Sequence, residues 1–272
     1  MELISIVLTI RPERVATLPG HLGRAAHAAF LALVAERDAA LAEALHESDE
    51  ARPFTCSPLM GGRVAGRALT VSPEHSYWLR FTSVQPSLSA LLADFTRCPP
   101  QRLELEGCTF AVEGCTSRAE EHGWAGESDY DALAGPPLGF AGPVPSRWRL
   151  EFAAPTTFRS AGKTIPVPLP ELVFSSLVAR WNAFAPLFLH PESVRRYAAE
   201  CVAINAYTLR TRAVGGKGGS FLIGCEGEAT YVALNRDRYW LGVINLLCDF
   251  AFYAGVGYQV AAGLGLVRRL AK

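Results

Sequence analysis

Two successive runs of strand, helix, strand, strand, helix and strand predict an α+β chain of two tandem ferredoxin-like (RRM-like) βαββαβ domains. Three observations carry this reading. A β-branched apolar run opens the chain at Leu3–Ile10 and gives way to apolar residues at three- and four-residue spacing. The same order restarts at Trp148, after a stretch rich in Gly, Pro, Ala and Ser. A length of 272 residues, 50% hydrophobic and 19% charged, suits one large domain or two small ones. The expected division is residues 1–125, a linker at 126–146, and a second domain at 147–272.

Leu3–Ile10 is apolar on both faces and reads as a central strand, ended by Arg11-Pro12. From Leu18 the residues Leu22, Ala26, Phe30, Leu33, Val34, Leu41 and Leu45 form one apolar stripe of a helix. Asp38 is placed to break that helix and cap a second. His21 and His46 fall on its polar side. Pro53–Met60 and Ser76–Val84 read as strands, joined by a connection at Gly61–Pro73. Pro86–Phe95 is a short helix and Arg102–Val112 an extended segment. The linker at 126–146 follows an ordered insertion around Trp124.

In the second half Trp148–Phe152 is a strand, and Thr156–Pro170 a proline-rich arm carrying Arg159 and Lys163. Glu171–Phe184 is a helix with Val173, Phe174, Leu177, Val178 and Trp181 inward. Pro191–Ala199 adds a short helix. Val202–Thr211 and Gly219–Cys225 are strands, with a hairpin turn expected across Gly215-Gly216-Lys217-Gly218. Asp237–Tyr253 is the second helix, and Tyr258–Leu270 the expected last strand.

The formal net charge is zero, which argues against nonspecific coating of nucleic acid and permits a local basic patch. Seven scattered cysteines without a Cys-x-x-Cys pair argue against a disulfide framework or a structural zinc site. They fit buried thiols in a reducing, cytoplasmic compartment. No signal peptide is legible, and the longest apolar stretch, from Trp240 to Gly257, is short and contains Asn245 and Asp249, so no membrane span is expected.

The most distinctive stretch is Gly255-Val-Gly-Tyr-Gln-Val-Ala-Ala-Gly-Leu-Gly265. Paired glycines around Val256 and Leu264 allow sharp turns and close backbone approach. Such a loop is expected to expose N–H groups that bind phosphate oxygens. Gly255, Gly257, Gly263 and Gly265 are therefore candidate phosphate-binding residues. A tight structural connection is the plainer alternative.

This loop resembles the glycine-rich loop of the CRISPR-associated RAMP superfamily. Closing two tandem ferredoxin-like domains, it is similar to that of the endoribonuclease family that processes precursor CRISPR RNA. The resemblance extends along most of the chain and includes Leu45-His46-Glu47, Phe54-Thr-Cys-Ser-Pro-Leu59, Pro155-Thr-Thr-Phe-Arg159 and Ser220-Phe-Leu-Ile-Gly224. Residues 107–145 match poorly. The resemblance implies cleavage without metal or cofactor: the 2′-hydroxyl attacks the adjacent phosphate, leaving a 2′,3′-cyclic phosphate and a 5′-hydroxyl.

Histidine suits the proton transfers and arginine the anionic transition state. By the resemblance His46 is the catalytic choice, with Arg52 as the basic residue following it. The family's tyrosine on the first helix has no counterpart at Phe30-Leu31, so His21 and His27 are the candidates for the second proton-transfer group. Arg159 and Lys163 on the arm, and Arg268 and Arg269 past the loop, are candidate RNA contacts. CRISPR repeat RNA or guide RNA is the implied partner. Effector-complex subunits and a homodimer stay open as further partners. Two other classes stay open as well. One is a non-catalytic RNA-binding subunit of an effector complex. The other is a small-molecule enzyme using the loop for a nucleotide, against which no Gly-x-x-x-x-Gly-Lys-Ser/Thr motif is present.

Overall fold

The structure is a computed structural model and describes residues 1–47, 51–139, 143–215 and 221–271. The chain divides into two compact units, Met1–Ser128 with Ala261–Gly263, and Asp129–Val260 with Leu264–Lys272.

The first unit runs β1 (Leu3–Pro12), β2 (Ala16–Pro19), α1 (Gly23–Arg37), α2 (Ala39–Glu47), β3 (Phe54–Cys56), β4 (Val64–Ala65), β5 (Ala68–Val71), β6 (Tyr77–Ser83), α3 (Pro86–Arg97), β7 (Arg102–Leu105), β8 (Cys108–Thr116) and β9 (Gly126–Ser128). β1 lies in the middle, antiparallel to β6 and β8, in the order β3-β6-β1-β8-β7. A first strand between the third and fourth of the repeat, with the second at the edge, is the ferredoxin-like arrangement. The β-branched run of β1 is buried almost throughout because it packs on both faces. Phe30 of α1 meets Phe54 of β3 and Phe81 of β6, with ring centroids 4.6 and 5.0 Å apart. Asp38 separates the first two helices, and its Oδ1 accepts from the Leu41 N–H at 2.9 Å.

Two stretches differ from the expectation. The connection at 61–73 forms a small sheet, with β5 between β2 and β4. Gly66, at φ +60°, makes its turn. Strands of two and four residues carry too little alternation to be read from sequence. The expected linker at 126–146 begins with β9, which pairs with β1, and continues into a helix of the second unit. Residues 140–142 of that stretch lie outside the described residues. Arg80, buried in β6, fixes the preceding insertion: its Nε donates to Ser5 Oγ at 2.7 Å and to the Trp124 carbonyl at 3.0 Å.

The second unit runs α4 (Tyr130–Leu138), β10 (Arg147–Thr156), β11 (Phe158–Ser160), β12 (Lys163–Ile165), α5 (Pro170–Phe184), α6 (Pro191–Cys201), β13 (Val202–Gly215), β14 (Phe221–Ala233), α7 (Arg238–Ala254) and β15 (Val267–Arg269). The order β13-β14-β10-β15 repeats the ferredoxin-like arrangement. Trp148, Phe174, Trp181, Tyr231 and Phe250 fill its core. α4 forms despite its Gly and Pro content because Tyr130 is buried against Trp181 and Phe250. Gly242 of α7 admits the Pro137 carbonyl where a Cβ would collide with it. The expected turn at Gly216-Lys217-Gly218 lies outside the described residues; β13 and β14 pair up to Gly215↔Phe221.

The expected last strand, Tyr258–Leu270, is mostly not a strand. A 3-10 turn at Val260–Ala262 precedes the three residues of β15. Gly257, Gln259, Gly263 and Gly265 all have φ between +58° and +88°, which no extended strand accommodates. Among the described residues no helix is long and apolar enough to cross a membrane.

Candidate active site

Within the first unit, α1 begins with its first turn pressed against the backbone of Ala261–Gly263. A Cβ on Gly23 would collide with the Ala262 carbonyl and Gly263 Cα, and a Cβ on Gly263 with Gly23 Cα. Two glycines thus let two backbones touch. Gly263 is also held at φ +85°. Replacing it with valine is expected to lower stability by about 3 kcal/mol. Urea denaturation checks this: an unchanged midpoint would mean that the contact yields freely.

The approach puts two carbonyls beside two histidines. The His27 Nδ1 lies 2.9 Å from the Ala261 carbonyl, which can only accept, so Nδ1 carries the proton. The bare Nε2 then accepts from Arg52 Nη1 at 3.0 Å. His21 takes the other tautomer. Its Nδ1 accepts a long bond from the Gly23 N–H at 3.4 Å, and its Nε2 donates to the Gly263 carbonyl at 3.1 Å.

His27 stacks on Phe54, with ring centroids 5.6 Å apart, and is half-buried. Burial and then the Arg52 guanidinium hold its pKa below the ordinary 6.5. The Ala261 carbonyl opposes them, and the charge of His46 adds to them. His46 is exposed on the last turn of α2. Of the candidates, Arg52 and His46 each act electrostatically on His27. A neutral imidazole with its lone pair on a guanidinium can take a proton while a cation stands ready for developing negative charge. Among the described residues no group of three or more His, Cys, Asp or Glu side chains is placed to hold a metal ion.

The glycine-rich loop differs from its expected role as an open row of N–H donors. Gly255 N–H donates to the Ala251 carbonyl and Val256 N–H to that of Gly265. Tyr258 N–H donates to the Thr157 carbonyl, Gly265 N–H to that of Pro155, and Gly257 N–H to Ser176 Oγ. These donors serve the loop's own fold. A Cβ on Gly257 would strike the Thr157 carbonyl, and one on Gly265 the Val256 carbonyl, so both glycines are needed for backbone approach.

Arg159 and Lys163 lie on the exposed hairpin β11–β12, turned by Ala161 and Gly162 at positive φ. The Arg159 guanidinium sits 3.9 Å from the Tyr258 ring centroid. Arg268 and Arg269 are tied to Glu151 at 2.6 Å and Asp249 at 3.0 Å, pairs that any phosphate contact must share. The Ala261 carbonyl lies 234 residues from His27, beyond the reach of any local pattern. Tyr258 is the one aromatic inside the glycine loop, and its partner Arg159 is too distant in the chain for local pattern to connect them.

The family model described as CRISPR-associated endoribonuclease Cas6 matches residues 150–267, and the Cas6 N-terminal domain model matches residues 3–94. A curated CRISPR-associated endoribonuclease Cas6 from Mycobacterium tuberculosis is 26% identical over 129 residues. That alignment covers 47% of this chain and 40% of the relative, so it spans less than half of either. Among solved structures, a product complex of Cas6 (TTHB231), a Thermus thermophilus protein, is 27% identical with a TM-score of 0.79. It covers 98% of this chain and all of its own. A product complex of Cas6 (TTHA0078) is 28% identical over the whole of both chains, with a TM-score of 0.77.

Proposed function

The chain belongs to the CRISPR-associated endoribonuclease Cas6 family, and from that premise we propose that it cuts CRISPR repeat RNA to make guide RNAs. The carrying observation is the 3.0 Å contact between the proton-free His27 Nε2 and Arg52, with His46 coupled to His27 by charge. The solved product complexes of its relatives support RNA as the partner.

The substrate phosphate draws the Arg52 guanidinium off His27. The freed Nε2 accepts the proton of the upstream 2′-hydroxyl. The 2′-oxygen bonds to phosphorus, Arg52 offsets the charge of the phosphorane, and the bond to the 5′-oxygen breaks. His46, open to solvent, supplies the proton that the departing oxygen takes. The products are a 2′,3′-cyclic phosphate and a 5′-hydroxyl, and no step uses a metal.

Incubating labelled repeat RNA in EDTA tests this. Cutting at one site with a cyclic phosphate end is the expected result. A gel shift without cutting would instead select a non-catalytic RNA-binding subunit.

The pH profile carries a second expectation. A lowered folded pKa means that the unfolded chain binds the His27 proton first. Stability is therefore lost as pH falls from 6.5 toward the folded value, and the base stays neutral through that same window. The acid limb of kcat/KM is expected below pH 6.5. Arg52→Gln, which removes the second cause of the shift, should move that limb upward while also slowing the reaction. A limb that Arg52→Gln leaves in place would take His27 out of the role of base.

A further inference from the structure

The second unit holds a cavity of about 280 Å³ lined by Phe158, Arg159, Ser175, Ser176, Gly257 and Tyr258. Its size is near the lower end of small-molecule sites, about 300 Å³. One wall is the Arg159 guanidinium laid over the Tyr258 ring. Arg159 is exposed, and no acceptor among the described residues takes its N–H groups. The tyrosine fixes the plane of the cation and leaves its donor edge open. On the α5 side, the Ser175 hydroxyl is buried with no hydrogen-bond partner, and Ser176 Oγ accepts from the Gly257 N–H at 2.8 Å while keeping its own proton.

The glycines explain why this wall exists. Gly257 at φ +88° packs on the Thr157 carbonyl, and the next residue, Tyr258, donates its N–H to the same oxygen at 2.8 Å. The turn thereby holds the Tyr258 ring under Arg159.

We propose that this cavity receives one unpaired nucleotide of the bound RNA and is a specificity subsite. The base lies beside the Arg159–Tyr258 pair, the serine hydroxyls meet its edge after a χ1 rotation of Ser175, and the guanidinium edge takes its phosphate. Aromatic rings and arginine planes are the groups on which splayed bases stack, and a base held in a duplex could not enter. The proposal rests on the RNA-processing reading above.

The test is an abasic scan. Each nucleotide of the repeat RNA is replaced in turn by an abasic residue, and affinity is read by fluorescence anisotropy for the wild type, Tyr258→Leu and Arg159→Gln. One position is expected at which the missing base costs the wild type about tenfold. The same replacement should cost each variant less than about twofold. Arg159 is exposed, so its variant keeps the test readable should Tyr258→Leu unfold. If the RNA is cut but no position behaves in this way, the subsite is overturned and the nuclease reading stands. If the position is found on an RNA that is bound and never cut, the subsite stands and the nuclease reading falls. If the wild type binds no repeat RNA, both fall.

Discussion

A repeat RNA carrying a single 2′-deoxy nucleotide just upstream of the cut phosphate is expected to bind with nearly unchanged affinity and to resist cleavage. The proposed site offers a neutral imidazole and a guanidinium 3.0 Å apart. That pair can remove a proton and steady a phosphorane, and the substrate must bring the oxygen. The upstream 2′-hydroxyl is already held beside its phosphorus, so its attack avoids the entropic cost of placing a water. Removing it takes away the nucleophile and almost none of the contacts that bind the RNA. The 2′-hydroxyl is also what separates RNA from DNA at one position. Single-turnover assays with matched RNAs check this, with EDTA having no effect on the unmodified one. Cutting of the deoxy RNA, or strict dependence on magnesium, would overturn the mechanism.

The second large effect concerns His46. His46→Ala is expected to slow single-turnover cleavage by about a hundredfold or more, with affinity changed by less than about twofold. The side chain is exposed at the end of α2, so its loss leaves no cavity. His27→Ala should slow cleavage by a similar factor and also cost some stability, because Ala261 and Arg52 both lose a partner. Equal rates for His46→Ala and the wild type would pass the proton-donor role to His21.

What could be read in advance follows the range over which each interaction acts. The stripe from Leu22 to Leu45 and the break at Asp38 are local, and they are where the residues imply. The βαββαβ order was legible twice because strand and helix periods differ. The strand expected at Tyr258–Leu270 failed because apolar content there serves a turn built on left-handed residues. The cradle is less open than expected for a related reason: the acceptors that occupy the N–H groups of Tyr258, Gly265 and Gly257 come from Thr157, Pro155 and Ser176, remote in the chain. His46 and Arg52 could be chosen by resemblance. The weight that falls on His27 could not, because the carbonyl that sets its tautomer belongs to residue 261.

That carbonyl has a consequence in time. His27 and its acceptor are 234 residues apart, and His21 and its own are 242 apart. At a synthesis rate of about 5–20 residues per second, the first histidine waits roughly ten to fifty seconds for the backbone that orients it. Through that interval the nascent chain holds His21 and His27 and lacks the two carbonyls that set their tautomers. On the proposed mechanism the site is completed only once residues 261–263 have been made.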